Sequence, residues 1–352
     1  MTTMKKLLIV CGLALLSTGA FAQLGDFRIG AGVGVGTTGI DIDVSATYGE
    51  YLGARFGVDI MPQIKVKTDI NLKLDPKVSS NLSINNLKQY VYGTNGTYDA
   101  PAAGSLNAAL VAAGYEKVDL RRFPNEQIPN KIDIEGKLTN TTWHLLFDVY
   151  PFGARSSFHA TVGAYFSPKK IVKVYNQTDA FLQPVVAYNN ALAYAQSQTP
   201  SYIPNPTNPS TNIPSNISAV VNEYGLKMIG AELGDYFITP DPDDRGNVEA
   251  TIEVGGFRPY VGIGFGRAVP KKRIGCQFDL GVQFWGTPKV YAPSAIRNAD
   301  GTFVREADGT LKVERTQLTK ENSGGDAGGA IKTISKISVY PVLNFRLVGR
   351  IL

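Results

Sequence analysis

From Phe257 onward, apolar and polar residues alternate with the two-residue period of a β-strand. Phe257, Pro259, Val261, Ile263 and Phe265 share one face, and Arg258, Tyr260, Gly262, Gly264 and Gly266 share the other. After a turn at Val269-Pro270-Lys271-Lys272 the pattern repeats. Ile274, Cys276, Phe278, Leu280, Val282 and Phe284 stand against Gly275, Gln277, Asp279, Gly281, Gln283 and Trp285. Side chains alternate across a strand, so each run has an apolar wall and a wall of glycine, amide and charge. Six more runs of this kind lie at about Phe27–Val35, Ile40–Thr47, Leu52–Ile60, Thr141–Tyr150, Phe158–Phe166 and Lys336–Ile351. Leu146 is an apolar exception on the polar face of its run.

The alternation alone fits a soluble sandwich or a membrane barrel; the chain start and the loop lengths separate them. Met1–Ala22 has the parts of a secretory signal: Lys5 and Lys6, an apolar Leu7–Leu16, and Ala20-Phe21-Ala22 before the cleavage point. Later segments contain no run of apolar residues long enough for a membrane helix. The connections between runs 2–3, 4–5 and 6–7 are short. Those between 3–4, 5–6 and 7–8 are long, about 63–140, 167–256 and 293–335. Odd and even connections of an up-and-down barrel lie at opposite ends, so the long loops share one end. That is the layout of outer-membrane barrels, with short periplasmic turns and longer extracellular loops. The expected fold is all-β: an eight-stranded antiparallel up-and-down transmembrane β-barrel, one domain over 23–352 after a 1–22 signal peptide. The expected location is the outer membrane of a Gram-negative bacterium. The eighth run ends with the chain, so no soluble periplasmic domain is expected.

Three stretches carry a family resemblance. They are His144–Gly153 (HLLFDVYPFG), Gly256–Lys272 (GFRPYVGIGFGRAVPKK) and Ile337–Arg350 (ISVYPVLNFRLVGR). They resemble Bacteroidetes-type outer-membrane β-barrel proteins, and the layout is similar to the barrel of outer membrane protein A and to OmpW-type barrels. The resemblance covers the strands and fades in the loops. It implies a fold and a location, and no catalytic motif. One departure is the last residue, Leu352, where such barrels commonly end in an aromatic side chain.

Charge and chemistry add less. Removal of the signal would leave 330 residues with a formal charge of +3, no nucleic-acid footprint. Only Cys276 would remain, so no intrachain disulfide forms. An eight-stranded barrel is just wide enough for side chains to fill. The inward register gives Arg28, Arg55, Arg258, Arg346 and Arg350 against Asp41, Asp43, Asp59, Asp148 and Asp279, five of each sign. Buried charges need partners, so the balance suggests a crosslinked plug. The expected lumen network is Arg28, Arg55, Asp59, His144, Asp148, His159, Arg258, Asp279, Gln283, Asn344 and Arg346. His144 and His159 face inward with no third metal ligand evident, and read as hydrogen-bonded filler.

Other motifs are weak. His159-Ala160-Thr161 faintly resembles the His-x-Ser of lipid A deacylases, but with Thr for Ser and the histidine pointing inward. Gly34-x-Gly36-x-x-Gly39 matches a dinucleotide fingerprint, yet a strand follows where a helix is required. Asp241–Gly246 partly mimics a calcium loop, with Arg245 at a ligand position. In the loops, Gly104–Tyr115 suggests a short helix, Lys65–Leu74 an extension of the third strand, and Ala307–Thr310 a hairpin turn. Gln196–Asn216, rich in Pro, Ser, Asn and Thr, reads as irregular.

The function expected is non-catalytic: a barrel with a filled lumen that anchors large extracellular loops for surface interaction or envelope integrity. The alternatives are a channel for small solutes or hydrophobic compounds, and a lipid-modifying enzyme. Partners would be outer-membrane lipid and an extracellular ligand met by the loops; no nucleic acid and no cofactor is implied.

Overall fold

A computed structural model describes residues 26–71, 84–125, 131–323 and 325–352. The expected signal peptide, 1–22, and Leu74 lie outside the described residues. The eight alternating runs form eight strands: Phe27–Gly36, Gly39–Tyr48, Leu52–Ile60, Thr141–Val149, Phe158–Phe166, Phe257–Phe265, Ile274–Phe284 and Val339–Arg350. They are called strands 1 to 8 below. Each pairs antiparallel with its sequence neighbours, and strand 1 closes on strand 8, Val33 opposite Leu347. The eight-stranded antiparallel barrel expected from the alternation is therefore the fold.

Strand 4 shows the alternation most plainly. Thr141, Trp143, Leu145, Phe147 and Val149 are exposed, and Thr142, His144, Leu146 and Asp148 are buried. The other strands follow suit, so Ile42, Phe56, Ile263, Leu280 and Phe345 all point away from the barrel. The exceptional Leu146 belongs to a small apolar layer across the lumen, packed with Tyr165, Tyr260 and Val342. Gly163 makes room for it: a Cβ there would lie 3.0 Å from Leu146 Cδ2 and closer still to the Leu145 carbonyl.

Strand 8 begins at Val339, later than the Lys336 expected, because Gly325–Ser335 is a helix and 336–338 leave it. At the other end, Ile351 and Leu352 both donate backbone N–H groups to Ile29 O. Ile351 faces outward.

The wall does not stop at the barrel rim. Ile64–Asn71 follows strand 3, Lys131–Leu138 precedes strand 4, and Lys170–Asn176 follows strand 5. Glu249–Glu253 precedes strand 6 and Lys289–Ala295 follows strand 7. These pieces pair in the same order as the strands they prolong, forming an open sheet beyond the barrel. Strands 1 and 2 have no such extension, since Thr37 and Thr38 turn at once. The sheet carries a cross-strand ladder of ion pairs. Lys65 and Glu135 lie 3.1 Å apart, Lys173 and Glu249 2.6 Å, and Glu253 lies 2.6 Å from Arg315 of Val313–Leu318, a further strand paired with Lys289–Ala295.

Helices Ile84–Tyr92, Leu106–Ala112, Gln183–Gln196 and Ile217–Tyr224 pack together outside the barrel. Leu87, Leu110, Leu182, Leu192 and Val220 are among the buried residues of this cap. The helix expected near Gly104 starts at Leu106, with Ser105 accepting from Ala108 N as its cap. The expected hairpin turn is present, with Glu306 N donating to Thr310 O and Gly309 at φ +85°. The segment expected to be irregular is instead a hairpin of Tyr202–Asn205 and Asn208–Pro214. Two apolar side chains tie it down: Ile203 is buried in the cap core and Ile213 packs against it. The Asn216 amide accepts from Ser201 N and donates to Thr199 O, closing its base.

Candidate functional site

The inward faces of the strands build a polar core. Arg55 from strand 3 crosses the lumen to strand 7, directly opposite in the barrel order. Its Nη1 reaches Asp279 Oδ2 at 2.8 Å, and its Nη2 reaches Asp148 Oδ1 on strand 4 at 2.7 Å. Thr161 donates to the same Asp148 oxygen at 2.7 Å. His159 Nε2 lies 2.9 Å from Asp279 Oδ1 and 3.1 Å from Gln277 Nε2. Arg55 is 2% exposed, so its charge is held by protein groups alone.

A second set fills the other half. Arg346 on strand 8 donates to both oxygens of Asp43 on strand 2 and to Gln277 Oε1. Asn344 Nδ2 donates to Asp41 Oδ2 at 2.9 Å. Asp59 accepts from Thr38 Oγ1 at 2.6 Å and lies 2.8 Å from His144 Nδ1. Gly32 lets the guanidinium through; a Cβ would stand 2.8 Å from Arg346 Nη2.

Not every residue expected in the network joins it. Arg28 stands at the barrel end, part-exposed, 3.1 Å from Glu50 in the next turn. Arg350 is exposed and donates to Lys271 O. Both lie at strand ends, where the rim and not the lumen offers partners. Arg258 is buried near the opposite mouth, bonded to Asn140 Oδ1 and Gly255 O and lying over the Trp285 ring. Gln283 accepts from Trp285 Nε1. Trp285 itself turns inward and stacks on Tyr340 at 4.5 Å, while Trp143 and Phe257 stay on the outside. The five-to-five charge balance therefore changes. The fully buried charges of the described barrel are Arg55, Arg258 and Arg346 against Asp41, Asp43, Asp59, Asp148 and Asp279.

One component was not foreseen. The turn between strands 6 and 7 folds into the barrel mouth, where Ala268 and Val269 are fully buried. Ala268 N donates to Tyr150 Oη, and Ala268 O accepts from Ser45 Oγ on the far side. Arg267 and Lys271 then converge with Arg28 on Glu50, each within 3.1 Å. Burial pushes the Glu50 carboxyl up, but these three cations outweigh it and hold it below its ordinary range. Two apolar residues inside a Lys/Arg-rich turn were the available signal.

His159 and Thr161 both point into the lumen and are engaged by Asp279 and Asp148. A deacylase-like reading needs a nucleophile and base at the lipid face, and neither stands there. The Gly34–Gly39 match is the hairpin between strands 1 and 2, with Gly39 at φ +115°. Asp241–Asn247 closes as a tight turn through Gly246 N and Asp241 O.

The fold and its interior define a class: a closed eight-stranded barrel with an apolar outer wall and a filled polar lumen. No family model matches the sequence, and no curated protein aligns with it. Among solved structures, the chain is similar to the crystal structure of CarO from Acinetobacter baumannii. The identity is 12%, over 92% of this chain and 97% of that one, with a TM-score of 0.35. It is also similar to a major outer membrane protein from Thermus thermophilus, at 12% identity over 92% and 98%, with a TM-score of 0.27. The barrel assignment rests on the closed strand register and not on these likenesses.

Proposed function

We propose that the protein is an integral outer-membrane barrel, closed to solutes, that anchors a folded cap outside the cell. The observation that carries this reading is the pairing of an apolar outer wall with a crosslinked interior. Leu145, Phe147, Ile263, Leu280 and Leu347 expose their side chains on the same wall whose inner face buries Arg55 and Arg346. In water that arrangement would expose a broad apolar belt and bury charges, the reverse of a soluble fold. In lipid it is the expected one, because a closed barrel satisfies every strand's backbone groups. No helix among the described residues is long and apolar enough to span a membrane.

The long connections share one end, which by the outer-membrane pattern is the extracellular one. The cap they build has its own apolar core, so it offers a shaped surface for an extracellular ligand, a partner or an envelope component. The Bacteroidetes-type resemblance of the three strand segments fits this location. The proposed role is non-catalytic; His159 and Thr161, the pair that resembles a deacylase motif, are engaged in lumen crosslinks. Protease treatment of whole cells tests the topology. Cleavage within 63–140, 167–256 or 293–335, with the strand segments protected, supports it. Cleavage confined to the 150–157 or 266–273 turns would place the cap on the wrong side.

A further inference from the structure

The half of the lumen nearer the cap holds more negative charge than its partners neutralise. Asp41, Asp43 and Asp59 meet a single guanidinium, that of Arg346. With a neutral imidazole at His144 these three carboxylates and Arg346 carry two negative charges in excess, a costly arrangement for buried side chains; Arg258, the other buried guanidinium of this half, is held instead by Asn140 and Gly255. Asp43 is fully used by Arg346. Both Asp59 oxygens are also used, by Thr38 on one side and by Thr142 and His144 on the other. Asp41 is different. Its Oδ2 accepts from Asn344 and lies 3.4 Å from Arg346 Nε, but its Oδ1 has no hydrogen-bond partner, although the residue is only 1% exposed.

That orphan oxygen faces His144 Nε2 at 3.9 Å. The gap is too long for a hydrogen bond. It is about half an ångström wider than the roughly 3.4 Å between two tetrahedral Zn²⁺ ligands on bonds of about 2.1 Å, a difference that a small turn of the Asp41 carboxylate closes. The far side of the ring is already arranged for this. The Asp59 carboxylate at Nδ1 fixes the proton there, which leaves a lone pair on Nε2 directed toward Asp41. A carboxylate behind a histidine is the usual support of a metal-bound imidazole.

We propose that Asp41 Oδ1 and His144 Nε2 bind a divalent transition-metal ion, with Zn²⁺ the best fit, and that Asp59 orients the imidazole. Water completes the coordination. A nitrogen donor favours Zn²⁺ over Ca²⁺ or Mg²⁺, which prefer oxygen. A divalent ion also cancels the excess charge, and it ties strand 2 to strand 4 close beneath the Thr37–Thr38 turn. The second acidic cluster, Asp148, His159 and Asp279, lacks this opening. Asp148 Oδ2 is also without a partner, but Arg55 already sits between the two carboxylates, and His159 Nε2 is taken by Asp279 and Gln277. The guanidinium there does what the metal does above.

The test uses the full chain folded in detergent, stripped with a chelator and dialysed against Zn²⁺. Metal content by mass spectrometry should reach one ion per folded chain. Asp41→Asn and His144→Gln should each weaken binding at least about tenfold, and Asp59→Asn by about 10–100-fold. His159→Gln should leave it unchanged. Retained heat-modifiable migration identifies the variants that fold. Co²⁺ added to the unmutated chain should give the visible absorption of a nitrogen- and oxygen-ligated ion, a readout that needs no variant. Zn²⁺ uptake by folded wild type no greater than by Asp41→Asn would overturn the site. So would a colourless Co²⁺ titration, equal loss in His159→Gln, or displacement of Zn²⁺ by equimolar Ca²⁺.

Discussion

The barrel and its cap are made from one chain, yet their cores are opposites. The barrel buries Arg55, Arg346, Asp148 and Asp279 and turns Leu145, Phe147 and Leu280 outward. The cap buries Leu87, Leu110, Leu192 and Val220 around Tyr188. Burial pushes the Tyr188 hydroxyl well above its ordinary range, so it stays a neutral donor to Lys227 O. The difference lies in the surroundings, not in the folding rules. Where lipid covers the outside, apolar side chains gain nothing by turning inward, and the interior is left to groups that satisfy one another. Where water covers the outside, burial of apolar area provides the drive.

The contrast can be broken most sharply at Arg55. Arg55→Ala strands two buried carboxylates and should cost about 3–5 kcal/mol of barrel stability. Urea unfolding followed by gel migration should show the loss, with the cap transition little changed. Leu192→Ala should do the converse. A buried leucine truncated in a packed core costs about 2–5 kcal/mol. Protease sensitivity of the cap should rise while the barrel keeps its folded migration. Leu145→Arg tests the outer wall. Leu145 stands at the middle of strand 4, opposite Phe56, and a charge at the bilayer midplane costs about 2–4 kcal/mol. In a soluble sandwich the same exposed position would accept arginine almost without effect.

The smallest effect belongs to Glu50, at the turn where neither lipid nor lumen dominates. Burial alone would raise its carboxyl, yet Lys271, Arg28 and Arg267 surround it and hold it below the ordinary glutamate range in the folded chain. A depressed folded value means that the stabilisation is present at neutral pH and is lost as the pH falls through that value. Solvent reaches this cluster, so Glu50→Gln should cost only about 0.5 kcal/mol at pH 7 and nothing in strong acid. Melting of the two forms across pH 3–7 measures the convergence.

The sequence reveals the barrel more readily than the cap, for a physical reason. Strand faces follow from a local two-residue period, and Arg55, Asp148, Asp279 and Arg346 can be placed inward one strand at a time. Partnership inside the lumen is another matter. That His144 meets Asp41 and Asp59, or that Arg55 reaches strand 7, depends on barrel closure and on strand tilt, which no local pattern contains. The inward turn at Ala268 and Val269 was masked by the charged run Lys271, Lys272 and Arg273 that follows it. The 202–214 hairpin was hidden because its composition resembles a linker, and only contacts with distant helices order it.

On the proposed function, polar crosslinks and the Ala268–Val269 turn close the barrel to solutes. Single-channel recording of the purified protein in planar bilayers tests it most directly. The unmutated protein should be electrically silent, and Arg55→Ala should leak. Steady conductance through the unmutated barrel would contradict the claim and make the lumen a pore.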